Sequence, residues 1–282
     1  MIIDVHTHLF PRDIREHRGK YIGDEPAFEL LYRDEKAKMI GTRELIDSME
    51  DNGVDISVIC GFPWISEDTC RKHNDYILQA ITDYPDRLKG LCCVNPYSEA
   101  SGKEVERCLD NGFSGVGEIA FYGNGGITAE AVESLETIMA LCKKRDLPVL
   151  VHTNEPVGHF YPGKSDNTLA QIYHLVKTYP DNRLILGHWG GGIFFYTLLK
   201  KEVRESLKNV YFDTAASCFL YRPDIYRIAM ELAGEDKVLF GTDYPLIGPG
   251  RYFRELEESG IGEAAAKKIL GENAAAVFGV AL

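Results

Sequence analysis

Nowhere in its 282 residues does the chain offer an apolar run that could cross a bilayer, which takes about 20 such residues in succession. It also lacks blocks of like charge, low-complexity tracts, internal repeats and any Pro/Gly/Ser-rich linker. These absences exclude a membrane span and a disordered tail, and leave no seam between domains. Basic residues are in deficit: 31 Lys and Arg face 43 Asp and Glu, for a net charge of −12. That balance opposes non-specific binding to nucleic acid or an anionic membrane. It does not oppose a small anionic substrate in a locally positive pocket. Cysteine supplies no disulfide framework, being 7 in number and irregularly spaced. Reduced, mostly buried thiols in a cytoplasmic protein are expected, with Cys92 and Cys93 on opposite faces of one strand. The first strand begins at Met1, leaving no room for the basic and apolar regions of a signal peptide. Finally, no glycine-rich phosphate loop follows that strand, as a doubly wound dinucleotide fold would require. His6-Thr7-His8 stands there instead.

What is present is an alternation. Apolar, β-branched runs occur at Ile2–His8, Ile56–Phe62, Leu88–Asn95, Gly115–Phe121, Pro148–Thr153, Leu184–Trp189, Val210–Thr214 and Val238–Thr242. Amphipathic stretches lie between them, such as Thr128–Lys144 with Val132, Leu135, Ile138, Met139 and Cys142 at helical spacing, and Thr168–Thr178. Strands alternating with helices imply parallel βαβ units. Eight units predict an α/β fold, a (β/α)8 TIM barrel, as a single domain over residues 1–282. Residues 9–41, between the first strand and its helix, form a long loop of the kind that serves as a lid or binding loop. Its Arg12, Arg15 and Arg18 are candidates for an anion clamp or for a solvated cluster. The run Ala264–Phe278 predicts a helix capping the barrel.

In a barrel, alternate strand residues point inward and the active site lies at the strands' C-terminal ends. By that rule His6 and His8 share a face on the first strand. Glu118 is in phase with Val116, His152 with Leu150, His188 with Leu184 and Leu186, and Asp243 with Leu239 and Gly241. Each residue alone is a weak signal; together they converge on one mouth. Imidazoles and carboxylates suit zinc, iron, nickel or manganese. A catalytic zinc lowers the pKa of its water from about 15.7 to about 7, which would make a hydroxide nucleophile. Asn154, Trp189 and Tyr244 lie just beyond strand ends and are candidate substrate-binding residues, with Glu155 beside them. Asp213, ending the seventh strand, either lines the pocket or bonds within the barrel.

The segments Ile3-Asp4-Val5-His6-Thr7-His8, Val151-His152-Thr153, Gly187-His188-Trp189-Gly190-Gly191 and Phe240-Gly241-Thr242-Asp243-Tyr244-Pro245, in this order, resemble the amidohydrolase superfamily. The tail Lys268-Ile269-Leu270-Gly271-Glu272-Asn273-Ala274 adds to a likeness with the amidohydrolase-related branch that includes aminocarboxymuconate semialdehyde decarboxylase. The resemblance implies that His6, His8, His152 and Asp243 bind a divalent metal ion; on ligand type zinc is expected first, with manganese, iron or nickel as alternatives. It also implies that Asp243 moves the proton of an attacking water and that His188 polarises substrate or shuttles protons. Where many relatives carry a carboxylated lysine, this chain has Gly117-Glu118-Ile119, similar to TatD-like nucleases. Glu118 is therefore a candidate ligand for a second ion, or a carboxylate bonded to a neighbouring strand's histidine. The expected activity is hydrolysis of an amide, ester or lactone in a small metabolite. Non-oxidative decarboxylation of an unsaturated or aromatic acid is the alternative, and a metal-dependent nuclease comes third. Enzymes of this kind often form homodimers.

Overall fold

The computed structural model describes residues 1–123 and 125–281. Its strands are β1 (Ile3–His8), β2 (Ile56–Cys60), β3 (Leu88–Leu91), β4 (Val116–Ile119), β5 (Val149–Val151), β6 (Leu184–Leu186), β7 (Val210–Asp213) and β8 (Val238–Leu239). All neighbours are parallel, in two arcs, β1-β2-β3 and β4-β5-β6-β7-β8. The arcs join at both ends. Cys92 bridges Val116 beyond β3, and Tyr244 bridges Thr7 beyond β8. At the second seam Val5 N–H donates to Phe240 O at 2.9 Å and Asp243 N–H to His6 O at 2.9 Å. The sheet closes into the (β/α)8 barrel and leaves no free edge.

Ile3, Val5, Val58, Cys60, Leu91, Leu150, Ile185 and Leu239 form the inner cluster. Ala274, Ala275, Val277 and Phe278 of the C-terminal helix belong to it and cap the barrel opposite the mouth. That helix runs over residues 263–278 through a π turn at Lys268–Glu272. Val149, Val151, Leu184, Leu186 and Phe212 pack in the outer cluster, against the helices. Burial of each such side chain contributes about 1.5–3 kcal/mol.

The inner cluster corrects two phases read from the sequence. On β6 it is Ile185 that points inward, whereas Leu184 and Leu186 face the helices. His188 reaches the mouth because the chain leaves the strand after Leu186 and turns. On β4 Val116 packs outward, and a register shift between Val116 and Ile119 re-aims Glu118. A similar shift between Asp4 and Thr7 lets His6 as well as Val5 point inward. The strands are also shorter than expected, ending before Thr153, Trp189 and Thr242. The stretch expected as one helix at 128–144 divides into Ala129–Ser134 and Glu136–Arg145. Thr168 starts the Leu169–Thr178 helix with a capping box to Gln171.

Residues 9–41 fold onto a small core of their own. Helices Arg12–Glu16 and Pro26–Tyr32 bring Phe10, Ile14 and Phe28 against Phe62, Trp64 and Cys70. The three arginines fasten this segment and do not line the cavity. Arg12 pairs with Glu16 and Arg15 with Glu44, while Arg18 donates to the Tyr32, Asp34 and Ala37 carbonyls. The seven cysteines are free, and all but Cys218 are buried. Among the described residues no helix is long and apolar enough to cross a membrane.

His73 ties the small core to the barrel. Its Nδ1 accepts from Trp64 Nε1 at 2.9 Å and its Nε2–H donates to Leu9 O at 2.6 Å. Burial lowers its pKa to about 4, so the folded protein holds it neutral where the unfolded chain protonates it. Its contribution to stability is complete above pH 6.5 and is lost as pH falls towards 4. The loss is on the order of 3 kcal/mol. Denaturant titrations of wild type and His73→Gln should therefore converge across that window, wild type losing the larger share. Parallel pH profiles would contradict it.

Candidate metal centre and active site

Each polar group at the mouth is placed by a local feature of its strand. The irregular step in β1 sends His6 inward while His8 follows at the strand's end. Asp4, buried two residues before His6, accepts from Thr242 Oγ1 at 2.6 Å, Thr242 N at 3.0 Å and His6 N at 3.2 Å. It thereby fixes the start of the β8 loop against β1. Burial raises its pKa to about 7, against the lowering effect of those bonds. After β6, His188 and Trp189 adopt φ of 54° and 63°, and Gly190, Gly191 and Gly192 continue at 61°, 61° and 81°. A Cβ at Gly190 would lie 2.7 Å from the Phe212 ring, and one at Gly191 2.6 Å from Asn154 O. Only glycine allows this left-handed turn to pack so closely. Asp243 is also left-handed, at φ 59°. Non-glycine residues held there cost about 1–3 kcal/mol each and cluster at functional sites.

The resulting cluster is compact. His6 Nε2 lies 3.1 Å from His8 Nε2, 3.5 Å from Glu118 Oε2 and 3.8 Å from Asp243 Oδ1. His8 Nε2 is 3.2 Å from Asp243 Oδ1 and 3.6 Å from Glu118 Oε2. His6 Nδ1 stands 2.8 Å from Asp213 Oδ2. A carboxylate only accepts, so the proton of His6 sits on Nδ1 and the Nε2 lone pair faces the cluster. Ligands about 2.1 Å from a shared cation stand about 3.0–3.5 Å apart, so this donor set fits a divalent ion. His6, His8 and Asp243 form one metal-capable triad, and His6, Glu118 and His188 another. They overlap at His6, whose single free lone pair serves one ion. That sharing favours the one ion expected over a second at Glu118.

His152, expected as a ligand, stands outside both triads but lines the same cavity. Its Nδ1 is 2.9 Å from Glu118 Oε1 and 3.2 Å from His188 Nε2, while its Nε2 meets Gly163 O at 2.9 Å. Glu118 thus bonds a neighbouring strand's histidine and joins the cluster with its other oxygen. His188 is held by Nδ1–H donating to Ala215 O at 3.1 Å and by its N–H donating to Asp213 Oδ1 at 2.8 Å. Burial would lower the His188 pKa, but the Glu118, Asp243 and Asp213 carboxylates outweigh it and raise it to about 9. Burial likewise opposes ionisation of Glu118 and Asp243. The surrounding imidazoles overcome it and hold both below the usual carboxylate range.

The cluster opens into a cavity of about 730 Å³. His8, Glu118, His152, His188 and Asp243 lie in its lining, with Tyr32, Phe62, Tyr122, Tyr161 and Phe219 as aromatic walls. The expected substrate contacts are corrected here. Asn154 is buried, and its Oδ1 accepts from Ser165 N at 2.9 Å and Ser165 Oγ at 2.6 Å, holding the loop after β5. Trp189 is fully buried against Tyr226 and donates Nε1–H to Ser217 Oγ at 3.0 Å. Tyr244 packs on the outer core, while its neighbours Asp243 and Pro245 line the cavity. Position beyond a strand end does not set side-chain direction once the chain turns. Sequence reasoning missed Asp4 and the aromatic walls. Asp4's position two residues before His6 was its only signal.

The amidohydrolase family model matches residues 3–280. The chain belongs to this family. The 2-amino-3-carboxymuconate-6-semialdehyde decarboxylase of Dictyostelium discoideum is 25% identical over 339 residues, covering 99% of this chain and 91% of the relative. The 5-carboxyvanillate decarboxylase of Sphingomonas paucimobilis superposes with a TM-score of 0.81 at 18% identity, covering 99% of both chains. A dihydroxybenzoic acid decarboxylase of Polaromonas sp. JS666, solved with bound manganese and 2-nitroresorcinol, gives 0.73 at 20% identity, over 99% of this chain and 97% of the other. Both superpositions agree with the barrel.

The His6–Asp213 bond yields a direct test. Asp213→Asn can donate to His6 Nδ1 and so shift the proton to Nε2, removing the lone pair that faces the cluster. Loss of such a supporting carboxylate costs about 10–100-fold in metal affinity. Manganese titration of the chelator-treated variant should show that weakening at retained fold by circular dichroism. Unchanged affinity would refute the role of Asp213.

Proposed function

We propose that this enzyme is a metal-dependent, non-oxidative decarboxylase of an aromatic or unsaturated carboxylic acid. The observation that carries the reading is the opening of the imidazole–carboxylate cluster directly into an aromatic-walled cavity, in a chain matched almost end to end by a relative named as a decarboxylase. Hydrolysis of an amide, ester or lactone, the first expectation, has less behind it, since the relatives described above are decarboxylases.

His6, His8, Asp243 and Glu118 would hold the divalent ion, and bound there it would supply positive charge to draw in and orient the substrate's oxygens. Manganese is the first ion to test, ahead of the zinc expected from ligand types alone, because the Polaromonas decarboxylase was solved with it. Tyr32, Phe62, Tyr122 and Phe219 sandwich a planar substrate and exclude water from it. His188 delivers the proton from Nε2 to the carbon bearing the carboxylate. The bond from that carbon to the carboxyl group then breaks, its electron pair returns to the ring or double bond, and carbon dioxide leaves. Asp213 and Ala215 hold the His188 imidazole in line for this transfer. Asp243, kept ionised, serves as ligand and as counter-charge to the protonated imidazole.

Incubating the manganese-loaded enzyme with dihydroxybenzoate, 5-carboxyvanillate, aromatic amides and lactones divides the readings. Carbon dioxide from at least one acid, and no acid released from the amides or lactones, is expected. Hydrolysis without carbon dioxide release would overturn the proposal. His188→Gln should lower kcat by about 10²–10⁴-fold while leaving manganese content at wild-type level. Asp243→Asn should fold and yet lose turnover together with most of its metal. Near-normal turnover in either variant, measured by carbon dioxide release, would refute that residue's role.

A further inference from the structure

The cavity lining carries two kinds of charged group. Histidines and carboxylates at the strand ends are one. The segment following the Pro26–Tyr32 helix brings Lys36 and Lys38 into its lining. Many basic residues of this chain have a carboxylate partner, among them Lys72, Lys143, Lys164, Lys177 and Lys268. Among the described residues Lys36 and Lys38 make no ion pair. Their neighbour Asp34 turns its Oδ1 back to accept the Lys36 backbone N–H at 2.9 Å. Glu155, also in the lining, is already engaged by Lys164 Nζ at 2.7 Å and Tyr161 Oη at 2.8 Å. No carboxylate of the cavity wall thus neutralises these two ammonium groups, in a chain whose net charge is −12.

The segment is also held in place. Arg18 donates from Nη1 to Asp34 O at 2.9 Å and Tyr32 O at 3.3 Å, and from Nη2 to Ala37 O at 3.2 Å. One half-buried guanidinium therefore pins three carbonyls on the backbone that carries both lysines, reducing the entropy lost when they engage a ligand. The same lining also carries apolar and aromatic side chains, among them Leu31, Phe62, Val157, Phe219 and Leu246. A cavity of about 730 Å³ has room for more than a bare ring with one carboxylate.

We propose that Lys36 and Lys38 form a second anion subsite, so that the preferred substrate is a planar acid with two anionic groups. One is lost as carbon dioxide at the cluster, and the other is retained against the lysines. The inference rests on the decarboxylase reading for the fate of the first group, and its test reads binding alone, so the two can fail separately.

Calorimetric titration of the manganese-loaded enzyme with isophthalate and with benzoate provides that test. Wild type should bind isophthalate at least tenfold more tightly, and added salt should narrow the gap, because the lysines are solvent-accessible. In Lys36→Ala/Lys38→Ala the preference should fall below about threefold, with benzoate affinity little changed. Equal affinities in wild type, or a preference that survives the double substitution, would overturn the subsite. Loss of carbon dioxide from no acid tested, with the isophthalate preference intact, would instead overturn the decarboxylase reading and leave the subsite standing.

Discussion

The hydrogen bond between His6 Nδ1 and Asp213 Oδ2, 2.8 Å long and fully buried, is the constraint on which the site depends. It joins β1 to β7 across the barrel mouth and fixes which ring nitrogen of His6 carries a proton. With that settled, the Nε2 lone pair is directed at His8, Glu118 and Asp243, a donor set spaced to hold a cation. The other oxygen of Asp213 accepts the backbone N–H of His188. One carboxylate therefore aligns both His6 in the cluster and the backbone of His188. A buried carboxylate is costly unless its acceptor capacity is used, and here both oxygens are occupied.

The barrel makes this arrangement possible by being irregular in the right places. Strands that kept strict alternation would present either Val5 or His6 inward, not both, and would send His188 towards the helices along with Leu184 and Leu186. Register shifts in β1 and β4 and the left-handed turn after β6 break the alternation at the mouth. The inner cluster of Val5, Val58, Leu150, Ile185 and Leu239 keeps it below. Regular packing at the closed end holds the strands, so that the open end can carry strained backbone at His188 and Asp243.

That division explains what could be read from the chain. The eight strands, their parallel order, the capping helix and the convergence of His6, His8, Glu118, His188 and Asp243 on one mouth were legible, because burial imposes a period on sequence. The errors fall where the period stops. Leu184 and Leu186 gave the wrong phase for His188, since three strand residues followed by a glycine turn carry too little pattern to set a face. Asn154, Trp189 and Tyr244 were taken for substrate contacts from their positions, yet each turns into the protein to pack or to bond a neighbouring loop. His152 reached the site but spends both ring nitrogens on Glu118 and Gly163. The role of residues 9–41 was visible only as length. Its content is an aromatic core packed on residues 62–73 and pinned by His73, and a lysine-bearing segment pinned by Arg18, contacts that no local pattern announces.

The central claim is that His6, His8, Glu118 and Asp243 hold one divalent ion at the barrel mouth. A crystal grown with manganese, with anomalous scattering recorded at its absorption edge, tests it most directly. The account predicts one strong anomalous peak about 2.1–2.3 Å from His6 Nε2, His8 Nε2 and a carboxylate oxygen. Two peaks, or a mouth with none in a protein otherwise folded as described, would contradict it.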